Sequence, residues 1–222
     1  MIALLSALLL VAAAPNAAFP GPGTYRYDAT LGGQHIGVWS ATVQNGPGNT
    51  EVDESSTAMF AGMPLAATAS LALAPDLSPL KYDGSYHMPG QNPTVTVTVT
   101  GAGAVVNSTL TNQTQRVGLL PNTQHFVVVE PGLLAGLFVL PAQLNAWKES
   151  AVTWVTPTSA QAQLLIINQN ASAPRPRGVP SKDALLSIEQ PLVVTIWYDP
   201  STLVPDEVIV PSQSATLTRE RS

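Results

Sequence analysis

The chain has 222 residues, no cysteine and a net charge of -5. Charged residues make up 10% of it, against about 25% in an ordinary soluble domain. The missing thiols exclude disulfides, thiolate metal sites and a lipid-anchored lipoprotein end, and without a basic stripe nucleic acid is not an expected partner.

Met1 to Ala14 (MIALLSALLLVAAA) is apolar, without a charged side chain, and runs into the small-residue stretch Pro15-Asn16-Ala17-Ala18. A secretory leader has an apolar core of roughly 7–15 residues and a small-residue cleavage site. A spanning helix needs about 20 apolar residues, and Pro15 and Pro20 interrupt this run first. Residues 1–18 are therefore expected to be a signal peptide and 19–222 a single β-rich domain, exported to the periplasm or the extracellular space. Cleavage after Ala13 and cleavage after Ala18 each fit part of the pattern, and no Lys or Arg precedes the apolar core. No later apolar run is long enough to span a membrane.

The 20 prolines and 16 glycines cut the rest into short pieces, which suits strands better than helices. Gly23 to Leu31 alternates, with Tyr25, Tyr27, Ala29 and Leu31 on one face. Gly32-Gly33 is a hairpin signal, and Gln34 to Gln44 gives the return strand. Gly37 within it marks a bulge or a close backbone approach. Asn45 to Asn49 is a turn, followed by strands over Thr50 to Met59, Pro64 to Leu73 and Leu80 to His87. Thr94 to Thr100 (TVTVTVT) is strict Val/Thr alternation and reads as a strand. Ala104 to Thr111 returns from it, and 115–129 holds one or two more strands.

Pro131 to Trp147 (PGLLAGLFVLPAQLNAW) breaks the pattern. It is nearly all apolar and does not alternate. Glu130-Pro131 is a helix start, and Pro141 is expected to split the segment into two short helical pieces. Ala151 to Thr156 and Gln161 to Asn168 then form a hairpin, Ala171 to Lys182 is a proline-rich basic loop, and Asp183 to Tyr198 and Glu207 to Thr218 supply the last strands.

The fold class is therefore mainly β: an antiparallel curved sheet or open half-barrel wrapped on one short apolar helical segment. Such wrapping accounts for a helix that is apolar on every side and leaves an apolar concavity beside it. Its expected ligand-lining residues are Leu133, Leu137 and Phe138 from the helix and Trp154 and Trp197 from strands. The alternative is that these side chains fill a dry core.

Tyr25, Tyr27, Gly33 and Gly37 at the start, Trp197, Tyr198, Asp199 and Pro205 near the end, and the apolar Leu-Leu-x-Gly-Leu segment between them carry a resemblance. The chain resembles a family of exported bacterial proteins of unknown function. The resemblance covers nearly all of residues 19–222 through short motifs, and it implies a curved β-sheet similar to the lipoprotein-carrier half-barrels, which hold lipid chains. It implies no catalytic residues.

Common catalytic signatures are absent: no Gly-x-Ser-x-Gly elbow, phosphate-binding glycine loop, His-Glu-x-x-His or dinucleotide fingerprint occurs. His35, His87 and His125 are far apart in sequence, and no metal or cofactor is expected. Glu51, Asp53 and Glu54 form the densest acidic cluster; Glu51 and Asp53 share a strand face that either holds calcium weakly or is simply solvated. The leading expectation is an exported carrier-type protein holding an apolar, lipid-like ligand. One alternative is a structural or envelope-assembly protein that meets a partner through a strand edge. Another is a hydrolase in which at least two of His35, His87, His125, Asp83 and Asp199 share a pocket.

Overall fold

The computed structural model describes residues 19–60, 62–101, 103–130, 132–168 and 171–221. The expected leader, residues 1–18, lies outside the described residues. Eight strands run in meander from the start: β1 (Gly23–Leu31), β2 (Gln34–Gly46), β3 (Asn49–Phe60), β4 (Met63–Leu73), β5 (Pro79–His87), β6 (Thr94–Thr100), β7 (Gly103–Ser108) and β8 (Gln113–Gly118). After β9 (Phe126–Val128) comes the helix α1 (Ala135–Trp147). Then follow β10 (Ala151–Thr156), β11 (Gln161–Asn168), β12 (Ala184–Gln190), β13 (Val194–Tyr198), β14 (Pro205–Val210) and β15 (Ala215–Arg219).

All of these strands form one sheet in the order β8-β7-β6-β5-β4-β3-β2-β1-β15-β14-β13-β12-β11-β10-β9. Two meanders are thus joined where β1 pairs with β15, Tyr27 opposite Arg219. The sheet is mostly antiparallel and is not closed into a barrel by a ladder between β8 and β9. The chain beyond β8 still crosses toward the other end of the sheet. There the Leu120 N–H donates to Thr153 Oγ1 at 2.9 Å, and the Thr123 and Thr153 hydroxyls meet at 2.6 Å.

The expectation of uniformly antiparallel strands fails at one place: β9 and β10 are parallel. Parallel neighbours need a crossover connection, and α1 is that connection. The short β9 carries only Phe126, Val127 and Val128, all buried, so alternation has no room to reveal it.

Period-two alternation sets the inner face elsewhere. Tyr27 and Ala29 of β1, Trp39, Ala41 and Val43 of β2, and Val95 and Val97 of β6 are buried, while the residues between them lie toward solvent. Gly37 plays both of the roles foreseen for it. Ala29 pairs with Gly37 and Thr30 with His35, so Ile36 is the extra residue of a bulge. A Cβ on Gly37 would also sit 2.0 Å from the Thr57 carbonyl oxygen.

Residues Ala135 to Leu144 of α1 are all buried. A helix without a polar face needs cover on every side; β3 and β4 approach from one half of the sheet, β9 and β14 from the other. Pro141 lies inside one continuous helix, which corrects the expected split. Proline removes the N–H that would meet the Leu137 carbonyl, a loss of about 3 kcal/mol in a helix interior. Enclosure on all sides holds the helix together across it. Nor does the helix begin at Glu130: its first residue is Ala135, and Glu130 instead accepts the Thr158 N–H and hydroxyl at 2.8 and 2.7 Å. The helix ends at Lys148, whose backbone turns left-handed (φ 57°) and whose N–H returns to the Leu144 carbonyl at 2.9 Å.

Gly136 lets α1 lie directly on β9, because a Cβ there would fall 2.2 Å from the Val128 carbonyl oxygen. Gly136→Ala is expected to lower stability by about 1–3 kcal/mol, the usual range for overpacking a core. Gly118→Ala, whose added methyl would meet nothing within 4 Å, serves as the control. Urea midpoints of the two variants check this: Gly136→Ala should unfold well before the parent and Gly118→Ala close to it.

Candidate ligand cavity

The inner faces of β1, β2, β14 and β15 do not close completely on α1. A cavity of about 200 Å³ remains, walled by Ala29, Trp39, Leu133, Leu137, Val208 and Leu217 among others. Ile36, the extra residue of the β1–β2 bulge, lines it beside Ala58 of β3 and Leu65 of β4. These same three residues also line an open groove of about 800 Å³ on the outside, together with His35, Val38, Thr57, Met59, His87 and Met88. Cavity and groove therefore share a wall. Met59 is 54% exposed and Val38 42%, so the groove presents apolar side chains to solvent.

The helix side of the cavity is tied down by two polar contacts. The Trp39 indole N–H donates to the Gly132 carbonyl at 3.2 Å. The Glu54 carboxylate, reaching in from β3, accepts the N–H groups of Leu134 and Ala135 at 2.8 and 2.7 Å. No side chain of the helix's own first turn caps it, so Glu54 satisfies donors that would otherwise be buried without partners. A carboxylate also suits the positive end of the helix dipole. Its other oxygen, Oε1, has no hydrogen-bond partner among the described residues. Burial pushes the Glu54 carboxyl up to about 7, while the two backbone donors pull it down. Burial likewise raises the Tyr82 and Tyr86 hydroxyls and Glu130 nearby.

The expected ligand-lining residues separate. Leu133 and Leu137 line the cavity. Phe138 is fully buried, its ring 5.2 Å from that of Tyr25. Trp154 is 1% exposed in β10 and donates its indole N–H to Thr156 Oγ1. Trp197 lies in β13 beneath the Arg175 guanidinium, 4.3 Å away. Neither Trp154 nor Trp197 is in the cavity wall, and the tryptophan that is, Trp39, was not foreseen. Glu54 was seen only as part of an acidic cluster. That cluster does not converge: Glu51 accepts from Ser70, Asp53 from Gln44, and Glu54 turns inward. The inward turn was readable, since Val52, Glu54 and Ser56 share the face opposite Glu51 and Asp53.

Of the five residues on which a hydrolase reading depends, His35 and His87 line the same outer groove. His35 Nε2 is 3.4 Å from Asp28 Oδ1, and His87 Nδ1 is 3.1 Å from Asn92 Oδ1. His125 stacks on Trp147 at 4.3 Å and pairs with Glu149. Asp83 pairs with Lys81, and Asp199 with Lys182 and Ser201. Among the described residues no group of three or more His, Asp or Glu side chains is arranged to hold a metal. No described helix is long and apolar enough to cross a membrane.

Glu54 imposes a pH dependence. Between about pH 4.5 and 7 the folded chain retains a proton that the unfolded chain has released, so its contribution to stability is lost as pH rises through that window. Asp183, raised to about 6 chiefly by burial and then by Asp206, has the same sign. Asp199, held low by Lys182 and Ser201, acts oppositely and only at lower pH. Thermal midpoints should fall from pH 4.5 to 7. Glu54→Gln, which keeps an acceptor for both N–H groups, should flatten that slope, and a slope equal to the parent's would remove Glu54 from this account.

No protein-family model matches the sequence, and comparison with curated proteins finds no match. Among solved structures the chain is similar to a β-barrel-like protein of the domain of unknown function DUF1849 from Brucella abortus, at 10% identity and a TM-score of 0.52, covering 92% of this chain and 97% of that one. It is also similar to a DUF1089 family protein from Pseudomonas aeruginosa, at 7% identity and a TM-score of 0.46, covering 92% and 95%. The first likeness shows a shared barrel-like fold.

Proposed function

We propose that this chain is an exported binding protein that holds an apolar, lipid-like ligand between its curved sheet and α1. The observation that carries this reading is the apolar cavity left beside Leu133 and Leu137, with an exposed apolar groove adjoining it across the shared wall of Ile36, Ala58 and Leu65. A filled core would need neither the cavity nor the exposed lip. Burial of an apolar chain there would drive binding at roughly 25 cal/mol per Å². The exported address rests on the composition of residues 1–18, and the absence of cysteine is compatible with an oxidising compartment. The DUF1849 neighbour supports the barrel-like frame and says nothing of a ligand.

Native mass spectrometry of the protein purified from its host should show a co-purifying lipid. An environment-sensitive apolar dye should bind, and Leu137→Trp, which fills the cavity from the helix side, should weaken that binding at least about tenfold, equivalent to about 1.4 kcal/mol. A ligand-free mass together with no dye response would overturn the reading. A partner protein captured at the β8 edge instead would favour the envelope-assembly alternative.

A further inference from the structure

We infer that residues 171–183 form a strap over Trp197 whose latch is a proton: Asp183 holds the strap down while its carboxyl is protonated and lets it lift once ionised. This concerns the outside of the second meander and does not depend on a ligand in the cavity.

The strap is recognised by what it covers. Val194 and Ile196 of β13 join the hydrophobic core, and Trp197, the next residue, points to the opposite face of the sheet. A tryptophan on that face would ordinarily meet water, yet this one is 5% exposed. Its cover includes the Arg175 guanidinium, 4.3 Å from the ring, an arrangement in which a cation is attracted to the indole face. Arg175 also ties the segment to itself by donating to the Pro180 and Asp183 carbonyls. The backbone N–H groups of Val179 and Asp183 close turns on the Pro176 and Pro180 carbonyls. Among the described residues no backbone hydrogen bond joins 172–183 to a strand, so the side chains of the strap hold it down.

Asp183 stands where the strap re-enters the sheet, one residue before β12. It is 4% exposed, and neither of its carboxyl oxygens has a hydrogen-bond partner among the described residues. The charged groups that face it are Asp206 of β14, Asp199 in the turn after β13 and Arg221 beyond β15, with Lys182 beside it on the strap. The cations are engaged elsewhere. Arg221 lies 3.4 Å from Asp206 Oδ2 and Arg219 2.8 Å from Asp206 Oδ1, and Lys182 donates to Asp199 at 2.6 Å. A proton is therefore what lets the Asp183 carboxyl hydrogen-bond to Asp206 rather than repel it. Burial first, then Asp206, raise Asp183 to about 6, with Arg221 pulling the other way. In a lifted, solvated strap an aspartate titrates at about 3.9. The closed strap thus binds the proton more tightly than the lifted one, and closure weakens as pH rises through about 6.

Hydrogen exchange at the Val179 and Asp183 amides, whose protection reports how often the strap lifts, tests this. Corrected for the intrinsic pH dependence of exchange, that protection should fall about tenfold from pH 5 to 7 in the parent. In Asp183→Asn, which keeps the buried shape without the charge, it should stay constant over the same range. The amides of β6, in the other meander, report opening of the whole fold. In both proteins the strap amides should exchange faster than these, which separates lifting from unfolding and shows that the variant is folded. Constant protection in the parent, or an equal fall in Asp183→Asn, would overturn the latch. Strap amides that exchange no faster than those of β6 would overturn a strap that lifts by itself, and strap amides without protection at either pH would overturn the closed state.

Discussion

The need to cover a helix with no polar face governs this molecule. Every residue from Ala135 to Leu144 is buried, so α1 gains nothing from facing water and must be enclosed. A flat sheet covers one side only. Fifteen strands in one curved sheet cover the rest, with β3 and β4 on one flank and β9 and β14 on another. Enclosure then explains the features that look anomalous in isolation. It sustains a helix across Pro141. It requires Gly136 where the helix meets the Val128 carbonyl. It also strands the first N–H groups of the helix away from water, which is why a carboxylate is found in the core.

That carboxylate, Glu54, is a compromise between two terms. Left without a partner, the Leu134 and Ala135 donors would each lose a hydrogen bond in a place water does not reach. Supplying an ionised acceptor means burying charge, and the upward shift of Glu54 records that conflict. With Trp39 on Gly132, the contact fixes the segment that bears Leu133. The wall of the cavity is therefore held by polar ties and lined by apolar side chains.

Much of the frame was legible in the residues. The Thr94 to Thr100 alternation, the Gly32-Gly33 hairpin and the non-alternating Pro131–Trp147 segment correspond to β6, the β1–β2 turn and the region of α1. Each is a local signal: it depends on residues a few positions apart. What was not legible depends on how distant pieces meet. Trp39, Trp154 and Trp197 are alike in sequence terms, and only the curvature of the sheet decides that Trp39 meets the cavity while Arg175 covers Trp197. The parallel β9–β10 pair was hidden because three apolar residues carry no period. Glu54 lies between these cases. Its face was readable, but its partner, the start of a helix some eighty residues on, was not.

The pairing of β1 with β15 has a consequence for how the chain is made. This ladder joins the first meander to the last strand of the second, and it sits in the middle of the sheet rather than at a rim. A ribosome delivers β1 first and β15 last, so α1 emerges long before the strands that complete its cover. The final seal is a contact between the most distant parts of the described chain, the kind that closes slowly because the loop entropy comes before the reward. Of the strands that pack on the helix, β3, β4 and β9 precede it in the chain and β14 follows it. The ladder that joins the two meanders is thus the one whose formation must wait for the whole described chain.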